Sequence, residues 1–324
     1  MLARQFVVVT KSLRPLPSSE HYAIEDIETR LRKRYVDLLS HPVLLAMFVK
    51  KAMFWNTIRS LLVAEGFLEV ETPALEVIPG GADARPFITH HNALDIDLFL
   101  RISLELHQKR LLVAGYEKVF EIGRVFRNEG IDAEHLQDYT ATEFYWAYAD
   151  YGDLLKFIPK FYKAVIKATC GSLTTTWRGQ KIFWGKSWAM VDYCKAFRDV
   201  TDIDITTAEI GMLIKKAESF AIALEPNLSK GRLIDLIYKK VIRPKLIQPT
   251  LLINHPIEIS PLAKRHADDP SKTERMQVVA CGTELGNGWS ELNDPADQRA
   301  RFEEQARLRA AGDPEAQMMD EDFV

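Results

Sequence analysis

Cysteine is scarce in this sequence of 324 residues: three occur, Cys170, Cys194 and Cys281, and no two are spaced as a CxxC pair. That usage excludes a disulfide scaffold and a zinc ribbon, and it indicates a reducing compartment. No apolar run approaches the roughly 20 residues that a membrane-spanning helix needs, and residues 1–17 lack a sustained signal-peptide core. We therefore expect a soluble cytoplasmic protein with no membrane partner.

Two common nucleotide-binding glycine loops are also missing. Neither GxxxxGK(S/T) nor GxGxxG after a predicted strand occurs in the sequence. Hydrophobic residues make up 47% and charged residues 27%, as in ordinary globular proteins, and the net charge is −3. This charge balance does not by itself indicate a nucleic-acid partner. If a nucleotide binds, side chains on a sheet must hold it.

Hydrophobic spacing predicts the elements of the first part of the chain. We expect a strand over residues 5–11, where three valines are consecutive, and a linker at the prolines and serines of 15–19. Apolar residues at helical spacing predict helices over 26–39 and 42–64, and a short strand follows at 67–73. A lone strand needs partners for its edges, so we expect the first strand to belong to a larger domain.

The rest of the chain has the pattern of strands with helices around them. Strands are predicted at 87–90, 98–102, 119–126, 140–146, 250–259 and 276–292, and helices at 104–114, through most of 150–247, and at 296–311. This order lacks the regular βαβ alternation of a parallel sheet. We therefore predict an α+β fold, in which helices flank an antiparallel sheet and a helical insertion covers about 152–247.

Polar side chains gather on one face of the predicted hairpin between 119 and 146. Alternation places Arg127 and Glu129 on one side of the first strand, and Tyr139, Glu143 and Tyr145 on one side of the second. A charged, aromatic surface backed by apolar residues is typical of a site for a polar small molecule. The alternative is that these charges pair among themselves or form the solvent face of the sheet.

A later strand adds a second polar group. Alternation places Asn287, Trp289 and Glu291 on one face, and Glu284 joins them only if Gly286 or Gly288 marks a β-bulge. An exposed tryptophan between an asparagine and a glutamate is costly without a ligand or a packing partner.

These residues also carry a family resemblance. The stretch 78–151 closely resembles the catalytic core of bacterial-type class II lysyl-tRNA synthetases, and residues 10–17, 259–264 and 284–294 do the same. The block Phe126-Arg-Asn-Glu-Gly130 marks class II synthetases in general. Three further stretches, Gly80-Gly81-Ala82, Thr89–Asp95 and Gly288–Glu291, point to the lysine enzyme. The similarity extends over nearly the whole chain.

The resemblance implies an activity and a domain arrangement. It implies ATP-dependent activation of lysine to lysyl-adenylate, followed by transfer to tRNA(Lys). Residues 1–22 would be the last strand of an anticodon-binding OB-fold plus a linker, and 23–324 the class II catalytic domain. Motifs 1 and 2 are present, whereas the glycine-rich motif 3 would follow Val324. Motif 1, the long helix and the strand up to Pro73, serves as a dimer interface in the family, so a homodimer is expected.

The resemblance also assigns site residues. Arg127 is the motif 2 arginine, which would bridge the lysine carboxylate and the α-phosphate and act as the catalytic residue. The implied ATP-binding residues are Arg127, Glu129, His135, Tyr139 and Glu284. The implied lysine-binding residues are Gly81, Glu105, Arg127, Glu143, Tyr145, Asn287, Trp289 and Glu291. Glu105 and Glu291 would receive the ammonium group, since an unpaired charge in a pocket is expensive.

Mg²⁺ is expected with ATP, on Glu284. Gln277 stands where the family often places a second magnesium-binding glutamate, and an amide oxygen can ligate a hard cation without supplying negative charge. Two other functions are compatible with the pattern. One is the paralogous enzyme that attaches lysine to an elongation factor and lacks an OB-fold, and the other is a non-catalytic synthetase-like binding module.

Overall fold

The computed structural model describes residues 4–14, 25–82, 84–130, 135–225, 228–311 and 316–324. The chain divides into two compact units, Met1–Asn56 and Thr57–Val324. The α-helices of the described ranges are α1 (Ile27–Arg32), α2 (Arg34–Ser40), α3 (Pro42–Ala64), α4 (Glu105–Val113), α5 (Tyr151–Cys170), α6 (Tyr193–Thr201), α7 (Ile210–Ser219), α8 (Lys230–Ile237) and α9 (Pro295–Ala310).

The strands are short apart from one hairpin. They are β1 (Leu68–Glu69), β2 (Leu75–Glu76), β3 (Ile88–His91), β4 (Ile96–Leu100), β5 (Lys118–Phe126), β6 (Asp138–Trp146), β7 (Thr174–Trp177), β8 (Gln180–Phe183), β9 (Ala189–Asp192), β10 (Thr250–Ile253), β11 (Arg275–Ala280) and β12 (Thr283–Trp289). The fold is therefore mixed, with several helices and several small sheets.

The strand expected at residues 5–11 is not formed. Residues 4–14 contain no regular element, and Val7, Val8 and Val9 are exposed. A β-prone run makes a ladder only when another strand accepts its backbone hydrogen bonds, and no described strand pairs with this one. The predicted OB-fold strand and linker continue into 15–22, and residues 15–24 lie outside the described part of the chain, as does the predicted boundary at 22/23.

The predicted helix over 26–39 is divided in two. Asp26 caps α1 by accepting a hydrogen bond from the backbone N–H of Thr29 at 2.7 Å. Lys33, with φ −111° and ψ 51°, interrupts the helix, and α2 continues to Ser40. The long helix is confirmed at the predicted bounds 42–64. Proline at its first position costs no hydrogen bond, which favours a start there.

The expected antiparallel sheet is several sheets with two parallel pairs. One sheet has the order β1-β5-β6, with β1 parallel to β5, and another has the order β12-β11-β10-β9, with β9 parallel to β10. The remaining sheets are β2-β4-β3 and the hairpin β7-β8. The specific single-sheet prediction is thus replaced by a mixed arrangement, because very short edge strands carry too little pattern to reveal their direction.

The described residues of the insertion, which was predicted as mostly helical at 152–247, include three strands as well as four α-helices. β7 and β8 form a hairpin after α5, and β9 pairs in parallel with β10 and so belongs to a main sheet. Each strand has four residues, too few for a period-two pattern to stand out. The β-branched run Thr174-Thr-Thr176 was the available signal.

Helices α6, α7 and α8 form a large apolar core against the second sheet. Its fully buried members include Phe197, Leu213, Ile234, Leu252 and Val279. This packing supports β10 and β11, and β11 pairs directly with β12 in that sheet.

No single helix of the described ranges is both long enough and apolar enough to cross a membrane. Helices α2 and α3 meet the length and composition criteria only as a pair, and that pair is bent by 115° at its junction.

Candidate active site

A cavity of about 1090 Å³ lies in the unit formed by residues 57–324. Residues of β6, β12, the start of α4 and the loops around them form its wall. Of the predicted site residues it brings together Gly81, Glu105, Arg127, Glu129, His135, Tyr139, Glu143, Tyr145, Glu284, Asn287, Trp289 and Glu291. Gln277 does not line the cavity and is buried on β11. The individual ligand roles of these residues remain predictions.

The hairpin β5–β6 presents one wall of the cavity. Its strands pair along nine residues each, with Val125 opposite Tyr139 and Glu121 opposite Glu143. Phe144 has the opposite parity from the predicted site residues and packs its ring against Phe67 and Phe157, at centroid distances of 5.3 and 5.7 Å. Aromatic packing therefore anchors β6 from behind and holds its polar side chains at the cavity.

Glu143 is held by two hydrogen bonds. Its Oε1 accepts from the backbone N–H of Leu104 at 3.0 Å, and its Oε2 accepts from the hydroxyl of Tyr145 at 3.2 Å. Burial raises the pKa of Glu143, although both hydrogen bonds oppose the shift. Burial and the neighbouring carboxylates also raise the pKa of Tyr145 well above its ordinary value, so this side chain is a hydrogen-bond donor at neutral pH.

Arg127 follows β5 directly and is fixed by both backbone and ring contacts. Its backbone N–H donates to Gln137 O at 2.7 Å, and its Nε donates to Ile102 O at 3.3 Å. The guanidinium lies 5.6 Å from the centroid of the Tyr139 ring, a cation–π contact. The ring predicted to stack on adenine therefore already has Arg127 on one face. Glu129 and the exposed His135 also line the cavity.

β12 carries the β-bulge that Glu284 needs in order to join the site, but the bulge lies at Leu285 and not at the predicted Gly286 or Gly288. Val278 pairs with Gly286 whereas Val279 pairs with Glu284, so Leu285 is the extra residue. The bulge shifts the parity of the strand and brings Glu284 to the cavity together with Asn287. Tyr162 of α5 donates its hydroxyl to Leu285 O at 2.5 Å, which fastens the bulge.

Glu105 and Glu291 meet at the ammonium group of Lys109. Lys109 Nζ donates to Glu105 Oε1 at 2.5 Å and forms an ion pair with Glu291 Oε2. Glu291 Oε2 also accepts from Trp289 Nε1 at 3.1 Å. The Glu105 side chain is 3% exposed, whereas that of Glu291 is 34% exposed. Two carboxylates from different parts of the chain thus share one cation beside the cavity.

The charged groups of this cluster shift one another's pKa values. Burial, together with Glu291 and Glu143, raises the pKa of Glu105 to about 8, although Lys109 opposes the shift. Burial also raises the pKa of Glu291. The pKa of Lys109 is raised because its two carboxylate partners outweigh its burial. Lys109 is therefore protonated at neutral pH and is the internal cation between Glu105 and Glu291.

Gly81 lets the chain pass close to this cluster. Its φ is +82°, in the region that favours glycine, and a Cβ here would collide with Ser103 Oγ and lie 2.8 Å from Glu105 Cβ. Ser103 Oγ donates to Gly80 O at 2.8 Å. The loop before β3 and the first turn of α4 are consequently in direct contact.

Glu284 and Gln277 are the residues that were predicted to bind Mg²⁺. Gln277 Nε2 donates to Glu284 Oε2 at 3.1 Å, and Gln277 Oε1 is buried without a hydrogen-bond partner. Among the described residues, no group of three or more His, Cys, Asp or Glu side chains could hold an ion. Because Mg²⁺ is often bound by one or two protein oxygens plus substrate phosphates, Glu284 fits an ion that arrives on a nucleotide. Gln277 does not, since it turns its amide nitrogen toward Glu284 and lies outside the cavity lining.

Sequence reasoning missed several charged residues of the site: Lys239, Arg243, Lys264 and Arg275 line the cavity, and Lys109 lies beside it. Lys109 lies four residues after Glu105 on α4, and this i,i+4 spacing of opposite charges was the available signal. Arg275 pairs across the ladder with Trp289, and its guanidinium lies 5.6 Å from the Trp289 ring while its Nε donates to Asn287 Oδ1 at 3.0 Å. Arg275 is a packing partner of Trp289, whose side chain is half-buried instead of exposed as the sequence pattern predicted.

Comparison with known protein families gives one strong match. The family model described as "tRNA synthetases class II (D, K and N)" matches residues 26–324. Its range covers every residue that the cavity brings together.

Curated relatives with the same name occur in several bacteria. The chain is 46% identical to the lysine–tRNA ligase of Moorella thermoacetica, 44% to that of Pelotomaculum thermopropionicum and 43% to that of Thermotoga sp. (strain RQ2). Each alignment covers 99% of this chain but only 66%, 64% and 63% of the respective relatives. The chain thus spans just under two thirds of the length of these enzymes. On the family match across its length, the chain belongs to the class II tRNA synthetases of the D, K and N type.

Proposed function

We propose that this chain provides the catalytic core of a lysine–tRNA ligase, which activates lysine with ATP and transfers it to tRNA(Lys). The observation that carries the proposal is the carboxylate pair Glu105 and Glu291, which meets around an ammonium group at the cavity. Such a pair favours a cationic side chain over the acidic and amide side chains that related class II enzymes accept. The names of the curated relatives support the same substrate.

Arg127 supports the activation step. In that step an oxygen of the lysine carboxylate attacks the α-phosphorus of ATP, the bond from this phosphorus to the bridging oxygen breaks, and pyrophosphate leaves. The guanidinium would hold the attacking carboxylate beside the α-phosphate and offset the negative charge that develops at phosphorus. Because no enzyme-bound covalent intermediate is needed, positioning and electrostatics supply the rate.

Other residues of the cavity suit the two substrates. Glu143 and Asn287, with the backbone at Gly81, would hold the α-amino and carboxylate end of lysine, and Trp289 would cover its aliphatic chain. Glu129, His135 and Tyr139 would contact ATP. Glu284 would hold Mg²⁺, which supplies positive charge to the phosphates when bound.

Transfer and assembly are further parts of the proposal. The 3′-terminal ribose hydroxyl of tRNA(Lys) would attack the carbonyl carbon of the adenylate, and AMP would leave. We propose a cytoplasmic homodimer in which α3 contributes to the interface, since this helix exposes apolar side chains such as Val43, Leu45 and Val49. Residues 1–22 would belong to the anticodon-binding domain.

Calorimetric titration with lysine tests the pocket. The comparison ligands are arginine, which has the same side-chain charge, aspartate, which has the opposite charge, and asparagine, which is uncharged. We expect lysine-selective binding that falls by about tenfold or more in Glu291→Gln, because the ion pair with the substrate ammonium is lost. The matched control is Glu69→Gln, which removes a carboxylate that pairs with Arg59 at 2.9 Å outside the cavity. A folded chain that binds all four amino acids equally, or none, would contradict the proposed substrate.

A further inference from the structure

Within the cluster of Glu105, Glu291 and Lys109, the proposed function assigns no role to Lys109. Its Nζ forms ion pairs with Glu105 and Glu291, the same two side chains that the proposed function assigns to the ammonium group of the substrate. Two ammonium groups cannot occupy one position between two oxygens. The arrangement therefore raises the question of which partner Lys109 gives up when lysine binds.

The two ion pairs of Lys109 differ in their burial and in the separation of the partners along the chain. Glu105 lies four residues before Lys109 on the same helix and is almost fully buried, so this pair is local and shielded from water. Glu291 follows β12, comes from a different part of the chain and retains about a third of its side-chain surface exposed. A ligand entering from the cavity reaches Glu291 first.

Lys109 also contacts an aromatic ring, which would stabilise its ammonium group if the pair with Glu291 were broken. The ring of Phe323 lies 5.6 Å from Lys109 Nζ, within the range of a cation–π interaction. After losing Glu291, the ammonium would keep Glu105 and this aromatic face. The internal cation would therefore not be left buried without partners, which would be costly.

Resting on the proposed function, we propose that Lys109 is a specificity-determining placeholder in the amino-acid pocket: the side-chain ammonium of lysine displaces Lys109 from Glu291, and Lys109 withdraws to Glu105 and Phe323. The exchange keeps the cluster close to charge balance both with and without ligand. It also rejects uncharged side chains of similar shape, because these cannot replace the cation on Glu291.

Removing the internal cation tests the exchange. Lys109→Gln keeps an amide donor for the two carboxylates but removes the competing charge, and we expect it to bind lysine about tenfold or more tightly at about pH 9. The gain should shrink near pH 7, because a proton then takes the place of Lys109 on the carboxylates. Lys109→Met should show the same direction. The matched control is Lys156→Gln, an exposed lysine on α5 that pairs with Asp153 at 3.5 Å.

Calorimetry at both pH values, with circular dichroism to verify folding, separates the outcomes. Unchanged or weaker lysine binding by a folded Lys109→Gln chain at about pH 9 would overturn the exchange and leave the proposed function standing, provided that the unsubstituted chain binds lysine. Should neither the unsubstituted chain nor the folded variants bind lysine, both proposals fail. If Lys156→Gln also binds lysine more tightly, the effect comes from net charge alone, and the exchange is overturned.

Discussion

At the scale of single residues, Glu105 is the carboxyl group of the pocket whose pKa is raised to about 8. The groups that face it are Lys109 on its own helix, Glu143 and Tyr145 on β6, and Glu291 after β12. Burial and the two neighbouring carboxylates raise its pKa to about 8. A group with a raised pKa in the free protein is protonated below that pH and has to lose its proton before it can pair with another cation.

Lysine affinity should therefore depend on pH. Below about pH 8 binding of the ammonium releases a proton from Glu105, so the affinity should rise with pH, by up to about tenfold per pH unit, and level off near pH 8. Calorimetry between about pH 6 and pH 9, in buffers with different ionisation enthalpies, measures both the affinity and the released proton. Glu105→Gln should flatten the profile, whereas Glu69→Gln should not. A constant affinity without proton release would contradict this assignment.

At the scale of elements, two local irregularities bring the site residues together. The bulge at Leu285 turns Glu284 toward the cavity, and the loop at Gly81 approaches the first turn of α4. The sequence pattern allowed the bulge without requiring it, since parity alone left Glu284 on the other face. The close approach at Gly81 depends on a contact with Ser103 and Glu105, more than twenty residues away, and no local pattern predicts such a contact.

Substitution at Gly81 separates backbone strain from steric collision. Gly81→Ala and Gly66→Ala both place a side chain at positive φ, +82° and +84°, but a Cβ at Gly66 meets nothing within 4 Å. Each should lose about 1–2 kcal/mol of unfolding free energy from the strained backbone, and Gly81→Ala more because of its collision. Only Gly81→Ala should weaken lysine binding. Denaturant titration with calorimetry tests this, and equal lysine affinities in the two variants would argue against it.

At the scale of the whole unit 57–324, the cavity depends on helix α5. Tyr151 N donates to Ser290 Oγ at 2.9 Å, near the end of β12, and Tyr162 binds the bulge of the same strand. α5 follows β6 directly, so it joins the hairpin wall of the cavity to the wall formed by β12. A ligand that contacts both walls should stabilise the unit against unfolding as a whole.

Thermal unfolding measures this coupling. Lysine at about a hundred times its dissociation constant should add about 2.7 kcal/mol to the free energy of unfolding and raise the midpoint by about 5 °C or more. Norleucine, which has the same aliphatic side chain as lysine but no side-chain ammonium group, is the control ligand and should have little effect. An equal shift with norleucine, or an undiminished lysine shift in Glu291→Gln, would show that the carboxylate pair does not carry the binding.

Local patterns in the sequence determined the long helix 42–64, the hairpin of β5 and β6 and the family motifs, because helix spacing, strand alternation and residue identity are properties of neighbouring positions. Tertiary structure alone decided that residues 5–11 form no strand, that β9 joins a sheet and that Lys109 lies between Glu105 and Glu291. These outcomes depend on partners far along the chain. A strand requires another strand to accept its hydrogen bonds, and a buried charge requires a counter-ion that the fold brings to it.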